Sequence, residues 1–369
     1  MSLIQIENLS GHAFSSFSSA YVADHISLEI KNNSTVGILG ESGSGKTQLA
    51  MTIAGLNRKN YRMTEGCIKY NFDGINEFNV IPNNHGGVSS NKILFNDLQI
   101  KLKNDKIYGN KIGFMFQDPG KSLNPYWTIR KHFDELIRTK KVANKNTFIS
   151  RKKEIFKAFR LDPTLDNKYV SQLRGGQQQR VIVALVLLSE PDLIIADEIA
   201  TGVDASVKRE LLEYLLHVKH LTNSTLLIIT HDIGFLLKIA NRIVLMYKGS
   251  ALQDLDADIV RSVLLTAQFK KQQELNTEKS NPDIKEKKPD EGLNLISQQL
   301  HPYLRELLRS YIYNVPLKGD IPNPTKKTGE ACPFAERCVD RMDECTKTFP
   351  VVTTKPRGWV RCLKFEKTQ

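Results

Sequence analysis

The sequence predicts an α/β protein: a mainly parallel core sheet, an antiparallel β subdomain, a helical subdomain and a small cysteine-rich C-terminal extension. Three observations carry the prediction. Short runs of Val, Ile and Leu alternate with helical patterns over residues 1–265, which is how strands covered on both faces by crossover helices read. A charged stretch at 267–292 then holds almost no large apolar residues, too few to bury a core. Beyond it an amphipathic helical pattern resumes, and four of the five cysteines gather near the end of the chain.

Taken in order, VGILG (36–40), KIGFMFQ (111–117), DLIIADE (192–198), TLLIIT (225–230) and RIVLMY (242–247) are the expected buried strands. The Asn- and Gly-rich residues 70–110 read as antiparallel strands joined by loops, and 118–190 as mostly helical. The charged stretch, with two prolines, reads as a linker or as a solvated helix fraying into one. HPYLRELLRSYIY (301–313) reads as an amphipathic helix. The expected division is a main domain at 1–265, its helical subdomain at about 118–190, a linker at 266–295 and the extension at 296–369.

The chain has 369 residues, 40% of them hydrophobic, enough for one large domain plus an appendage. Its net charge of +12 is compatible with an anionic partner, and equally with a lysine-rich surface, so charge decides nothing. No apolar run reaches the roughly 18–20 residues that span a bilayer. The start MSLIQIENLS lacks the basic and apolar regions of a secretory signal. A chain kept in the cytoplasm is expected, reaching a membrane only by docking on something already there.

GESGSGKT (40–47) follows the strand VGILG and precedes the helical QLAMTIAGL. This is G-x-x-x-x-G-K-[ST] in its strand–loop–helix setting, where loop N–H groups cradle phosphates at a helix N-terminus. Lys46 is placed to reach the outer phosphates and the Thr47 hydroxyl to ligate Mg²⁺. DLIIADE ends in two carboxylates: Asp197 to hold Mg²⁺, directly or through water, and Glu198 to activate a water. His231 and Gln117 end two further strands at the same edge. His231 could hydrogen-bond a γ-phosphate, and Gln117 could contact Mg²⁺ or the attacking water. In SQLRGGQQQR (171–180), Gly175 and Gly176 either form the turn opening a helix or let backbone approach a ligand closely.

Phosphate loop, strand-end Gln117, GGQ loop, Asp197–Glu198, a following Asp and strand-end His231, in this order, resemble the ATP-binding subunits of ABC transporters over roughly residues 1–265. The resemblance implies a P-loop ABC-type ATPase fold and two such subunits arranged head to tail, with each ATP between one phosphate loop and the opposite signature. On it, Gly40, Ser42, Gly43, Ser44, Gly45, Lys46, Thr47 and Gln48 bind ATP. SQLRGGQ matches the LSGGQ signature, so Arg174, Gly175, Gly176 and Gln177 would cap ATP held by the other subunit. GVDAS matches the D-loop, with Asp204 at its acidic position. Phe14 stands where an aromatic stacks on adenine, with Phe17 and Tyr21 as competitors. Permease helices would dock around residues 117–123.

Two departures stand out. Arg174 replaces the signature serine, and an arginine is too long and permanently charged to repeat a serine's compact hydrogen bond. IATGVD (199–204) replaces a PTTALD-like run. An asymmetric heterodimer is expected. The site with this chain's phosphate loop and Glu198 would turn over ATP, and the site with its LRGGQ would be impaired.

CPFAERCVDRMDEC gives Cys-x5-Cys-x6-Cys, with Cys362 following. The tight C-x2–4-C pair of structural zinc sites is absent, and four thiolates can equally hold an iron–sulfur cluster, so spacing leaves both open. Cys67 reads as a small buried hydrophobe. HPYLRELL (301–308), ACPFAERC (331–338), GESGSGKTQ and FQDPGKSLNP together are similar to the ATP-binding subunits of oligopeptide/dipeptide permeases, some of whose relatives carry nickel or metal chelates. That resemblance implies a [4Fe-4S] cluster on Cys332, Cys338, Cys345 and Cys362, with zinc as the alternative. It also implies a second, homologous ATP-binding subunit, two transmembrane permease subunits, an extracellular substrate-binding protein, a place on the cytoplasmic face of the cell membrane, and no nucleic acid. The longer linker and extra residues around 80–95 depart from that pattern. Two rivals remain. A soluble ABC ATPase would carry two phosphate-loop sets, long coiled coils or zinc insertions. A subunit that holds ATP without hydrolysing it has no need of Glu198 and His231.

Overall fold

A computed structural model describes residues 2–14, 19–57, 60–73, 75, 77–83, 92–140, 145–202, 204–280, 299–320 and 331–366. Among these the strands are β1 (Ser2–Phe14), β2 (Ser19–Lys31), β3 (Thr35–Leu39), β4 (Tyr61–Tyr70), β5 (Phe78–Ile81), β6 (Lys92–Leu94), β7 (Ile112–Met115), β8 (Leu193–Asp197), β9 (Thr225–Thr230), β10 (Arg242–Tyr247), β11 (Ser250–Asp256), β12 (Val352–Lys355) and β13 (Gly358–Arg361).

The core sheet has the order β12-β13-β11-β10-β3-β9-β8-β7. From β10 to β7 every pairing is parallel. Every residue of β3, β8 and β9 is buried, as their unbroken Val, Ile and Leu runs require. The register matters for function. Leu39 pairs with Thr230, Ile229 with Asp197, and Ala196 with Met115. Four neighbouring strands therefore finish level, and the residues just past them meet at one edge.

The second sheet has the order β2-β1-β4-β5-β6. It is built mostly from residues 2–31 and 61–70, and only its β5–β6 pairing is parallel. The expectation of antiparallel strands over 70–110 is thus corrected: β6 runs parallel to β5, and Leu98–Asn104 is a helix. LQIKL alternates like a strand, yet Leu98 and Leu102, four apart, are buried while Ile100 is 59% exposed. That is helical spacing, and packing has overridden the period-two pattern.

The stretch 118–190 holds helices Pro119–Ser122, Ile129–Lys140, Lys145–Ala158 and Gly175–Leu188. The charged stretch begins inside a helix, Ala257–Ser280; residues 281–298 lie outside the described ones, as do 84–91 of the extra residues near 80–95. No helix among the described residues is long and apolar enough to cross a membrane.

The extension completes the main domain. β13 pairs antiparallel with β11 and so lengthens the core sheet. Helix Pro302–Tyr313 starts at His301, whose ring accepts from the Tyr303 N–H at 3.1 Å. Burial pushes that imidazole down to about 3, so it accepts as a neutral ring. Leu300, Tyr303, Leu304, Leu308, Ile312, Phe334 and Leu363 are buried in the same core as β9 and β10. Each such side chain contributes about 1.5–3 kcal/mol, so the extension is held by the main domain's core.

Candidate active site

The site forms where β3, β9, β8 and β7 end together. Past β3 the chain turns through Gly40–Gly45 into helix Lys46–Ala54. Gly45 has φ 94°, and a Cβ there would come 2.4 Å from the Val22 carbonyl oxygen, so only glycine fits. Ser44 and Lys46 are buried, while Ser42 and Gly43 are exposed. Lys46 folds back over the loop. Its Nζ donates to the carbonyls of Gly40 at 2.8 Å and Glu41 at 2.9 Å. Burial lowers the pKa of this amine, and the carboxylates of Glu198, Asp197 and Glu41 oppose the shift. Thr47 Oγ1 donates to Asp197 Oδ1 at 3.0 Å.

Asp197 is the last residue of β8. Burial pushes its carboxyl up to about 6, against the Thr47 hydrogen bond. Glu198 follows with φ 50°, a left-handed backbone that a non-glycine residue adopts at a strain of about 1–3 kcal/mol. That turn aims its carboxylate back along the strand edge. Glu198 lies 3.8 Å from Lys46 Nζ and accepts from the Thr201 hydroxyl at 2.6 Å and from His231 Nδ1 at 2.9 Å. Burial would raise the carboxyl's pKa, but these partners outweigh it and hold Glu198 below the ordinary range. The same hydrogen bond raises His231 above its ordinary value.

Gln117, two residues past β7, closes a cleft of about 450 Å³ lined also by Ala20, Val22, the 42–48 loop, Glu198, Thr201 and His231. A helix N-terminus, a buried ammonium, a hydroxyl–carboxylate pair and a carboxylate beside an imidazole can together receive a phosphate chain, a divalent cation and a water to be deprotonated.

The structure brings Gly40 through Gln48, Gln117, Asp197, Glu198 and His231 to this edge, where Gln48 lines the cleft while its side-chain amide donates to Asn57, and it leaves other expected residues elsewhere. Phe14 is 39% exposed under the Arg62 guanidinium and does not line the cleft; Tyr21 packs on His12, and Phe17 lies outside the described residues. Asp204 caps helix Ala205–Thr222, accepting from the N–H groups of Ser206 and Val207. Arg174, Gly175, Gly176 and Gln177 open helix Gly175–Leu188 away from the cleft. There the Gln177 side chain accepts from the Arg174 N–H at 3.0 Å, and a Cβ at Gly175 would meet nothing within 4 Å. Thr201 was missed by sequence reasoning. Its signal was a hydroxyl three residues after a strand-end carboxylate, inside the departing IATGVD run.

The four tail cysteines lie close enough to influence one another. The Cys332 N–H donates to the Cys345 carbonyl at 2.9 Å. Burial pushes the thiols of Cys332 and Cys338 up to about 12, and that of Cys362 upward, with neighbouring cysteines adding to each shift. Yet among the described residues no group of three or more His, Cys, Asp or Glu stands as it would to hold a metal ion. The donor chemistry suits a cluster, while the thiol arrangement does not. Cys67 is half-buried, where full burial was expected.

Two family profiles match the chain. The family described as "ABC transporter" matches residues 23–201, and "Oligopeptide/dipeptide transporter, C-terminal region" matches residues 290–345. The oligopeptide transport ATP-binding protein AppD of Bacillus subtilis is 27% identical over 99% of this chain and 97% of its own length. The dipeptide transport ATP-binding protein DppD of Escherichia coli is 31% identical over 70% of this chain and 74% of its own. Among solved structures, the dimeric ATP-binding cassette MJ0796 in a post-hydrolysis state with ADP and Pi is 25% identical, with a TM-score of 0.54, over 69% of this chain and 98% of that one.

Proposed function

The chain belongs to the ATP-binding proteins of oligopeptide/dipeptide ABC transporters, and we propose that the cleft at its strand ends binds and hydrolyses ATP to drive peptide uptake through a membrane permease. It is an ABC-type importer ATPase. The observation that carries the reading is the level finish of β3, β9, β8 and β7, which assembles Lys46, Thr47, Glu198, His231 and Gln117 around one space, with Asp197 hydrogen-bonded behind Thr47.

In the resting arrangement Glu198 is occupied by Lys46, Thr201 and His231. The phosphates compete for Lys46 and His231, whose donors have better charge partners there. That frees one Glu198 oxygen to take a proton from the attacking water. Thr201 keeps its hydrogen bond and holds the carboxylate in place. Before nucleotide arrives, His231, Thr201 and Lys46 together hold Glu198 below the ordinary carboxylate range, ready to act as a base. Thr47 and Asp197 would hold Mg²⁺, which when bound neutralises charge building on the phosphates.

Arg174 and Gly175 are exposed, Gly176 and Gln177 are half-buried, and none of the four lines this chain's own cleft. This supports a composite site with a second, homologous subunit, docked with two permease subunits on the cytoplasmic face of the membrane. Arg174 makes the pair asymmetric, with turnover concentrated at this chain's Glu198. For the tail we propose a structural [4Fe-4S] cluster, supported by the four-thiol donor set of Cys332, Cys338, Cys345 and Cys362, whose thiols would have to draw closer than they stand among the described residues. Iron and sulfide analysis of the anaerobically purified chain tests it, and neither element above background removes it.

The functional test is ATP turnover by the complex purified from native membranes. Glu198→Gln abolishes turnover while ATP still binds, and the equivalent change in the partner costs much less. Turnover that survives Glu198→Gln refutes the assignment of the base. Equal losses from the two subunits refute the asymmetry.

A further inference from the structure

The extension reaches back to the phosphate loop and ends on one residue. The Glu41 N–H donates to Tyr303 Oη at 2.9 Å. The Arg337 guanidinium grips the Glu41 carboxylate with two donors, at 2.6 Å and 3.2 Å. The third polar group of Glu41, its carbonyl, accepts from Lys46 Nζ at 2.9 Å. The extension therefore engages the N–H and the carboxylate, and the phosphate-loop lysine engages the carbonyl.

The contact is well sheltered. Tyr303 is fully buried, and the Arg337 side chain is 7% exposed against 17% for Glu41. Arg337 is fixed from behind, with Nε donating to the Lys318 carbonyl at 2.6 Å. Tyr303 packs edge-on against Tyr247, the last residue of β10, at 4.8 Å between centroids, and Phe334 packs on both rings. The residue after the loop's first glycine is free in G-x-x-x-x-G-K-[ST], so the motif does not ask for a carboxylate there. A forked, low-exposure pair is the kind of ionic contact that fixes geometry.

We propose that Tyr303 and Arg337 are positioning residues for the ATP site. They hold the phosphate loop at Glu41 and, through the Glu41 carbonyl, set the Lys46 ammonium where the phosphates arrive. The proposal rests on the reading that this cleft binds ATP.

The test is the steady-state kinetics and thermal midpoint of the whole purified transporter carrying Tyr303→Phe, Arg337→Ala, Arg337→Lys, Glu41→Ala or Glu41→Ala with Arg337→Ala. Tyr303→Phe keeps the ring packing and removes only the hydroxyl, so it guards against misfolding. Tyr303→Phe and Arg337→Ala are each expected to raise KM for ATP about 5- to 10-fold with kcat changed less, as loss of a geometry-setting hydrogen bond predicts. Arg337→Lys keeps the charge without the fork and recovers only part of the loss. The double variant is no worse than the worse single one, because both remove the same contact. If these variants lower the thermal midpoint but leave KM for ATP within two-fold, the extension is a brace only and the proposal is overturned. Lys46→Ala, measured beside them by fluorescent-nucleotide binding, separates the two failures: undiminished binding there would mean that the nucleotide reading of the cleft is wrong.

Discussion

Asp197→Asn should make the nucleotide-free protein more stable while removing its response to Mg·ATP. Burial, with the like charge of Glu198 adding to it, lifts the Asp197 carboxyl from 3.8 to about 6 despite the Thr47 hydrogen bond. About two pH units at 1.36 kcal/mol each is about 3 kcal/mol of native-state penalty for the ionised carboxylate. A carboxyl with a raised folded pKa binds its proton more tightly when folded. The penalty is therefore absent below pH 4, grows between pH 4 and 6, and is complete above 6. Asparagine keeps an oxygen to accept from Thr47 and carries no charge. Urea unfolding without nucleotide should show the variant more stable than wild type at pH 8 by up to about 3 kcal/mol, with the advantage gone near pH 4. Adding Mg·ATP at 100 times its Kd should stabilise wild type by about 2.7 kcal/mol and the variant far less. A variant equally or less stable at pH 8, or one whose advantage is the same at pH 8 and pH 4, would refute the reasoning.

Gly45→Ala forces a Cβ toward the Val22 carbonyl in a left-handed backbone; it should lower stability by at least about 1–2 kcal/mol and abolish fluorescent-nucleotide binding. Gly175→Ala should act oppositely on the two readouts, because its Cβ meets open space in this chain. Helix stability rises by up to about 1 kcal/mol, seen in unfolding of the isolated chain, while ATP turnover of the assembled complex falls. Asp254, 1% exposed, pairs with Arg242 across the β10–β11 hairpin. Asp254→Ala should destabilise by about 3 kcal/mol, since it strands a partly buried guanidinium, and unfolding midpoints of Arg242→Met with Asp254→Leu should recover most of that loss.

The parallel strands were legible because each is short, apolar and ends in a residue with chemistry. In α/β sheets those ends must meet at one edge. Lys46, Thr47, Asp197, Glu198, His231 and Gln117 could thus be placed together before any coordinates. Helix Leu98–Asn104 was not legible, because L-Q-I-K-L satisfies a strand's period as well as a helix's and only packing decides. Thr201 and Glu41 were hidden for another reason. Neither occupies a motif position, and each acquires its role through a contact with a distant segment. Arg337 is 296 residues from Glu41 along the chain, beyond the reach of any local pattern.

Several features of the cleft work against the chain's own stability: a left-handed Glu198, a buried ammonium at Lys46 and a buried carboxylate at Asp197. Local rules break in this way where function, and not folding, sets the geometry. The glycines separate along the same line. Gly45 is demanded by neighbours inside this chain, whereas Gly175 has none to demand it. An exposed helix start with two glycines sacrifices helix propensity for no intramolecular gain. That sacrifice is intelligible if something from outside must approach the backbone closely. Arg174 bears on what approaches. It caps its helix without a side-chain hydrogen bond to the backbone, where a serine would have supplied one. Among the described residues the exposed Arg174 side chain has no hydrogen-bond partner, so a long, permanently charged group stands at the helix start where a serine would have turned back onto the backbone.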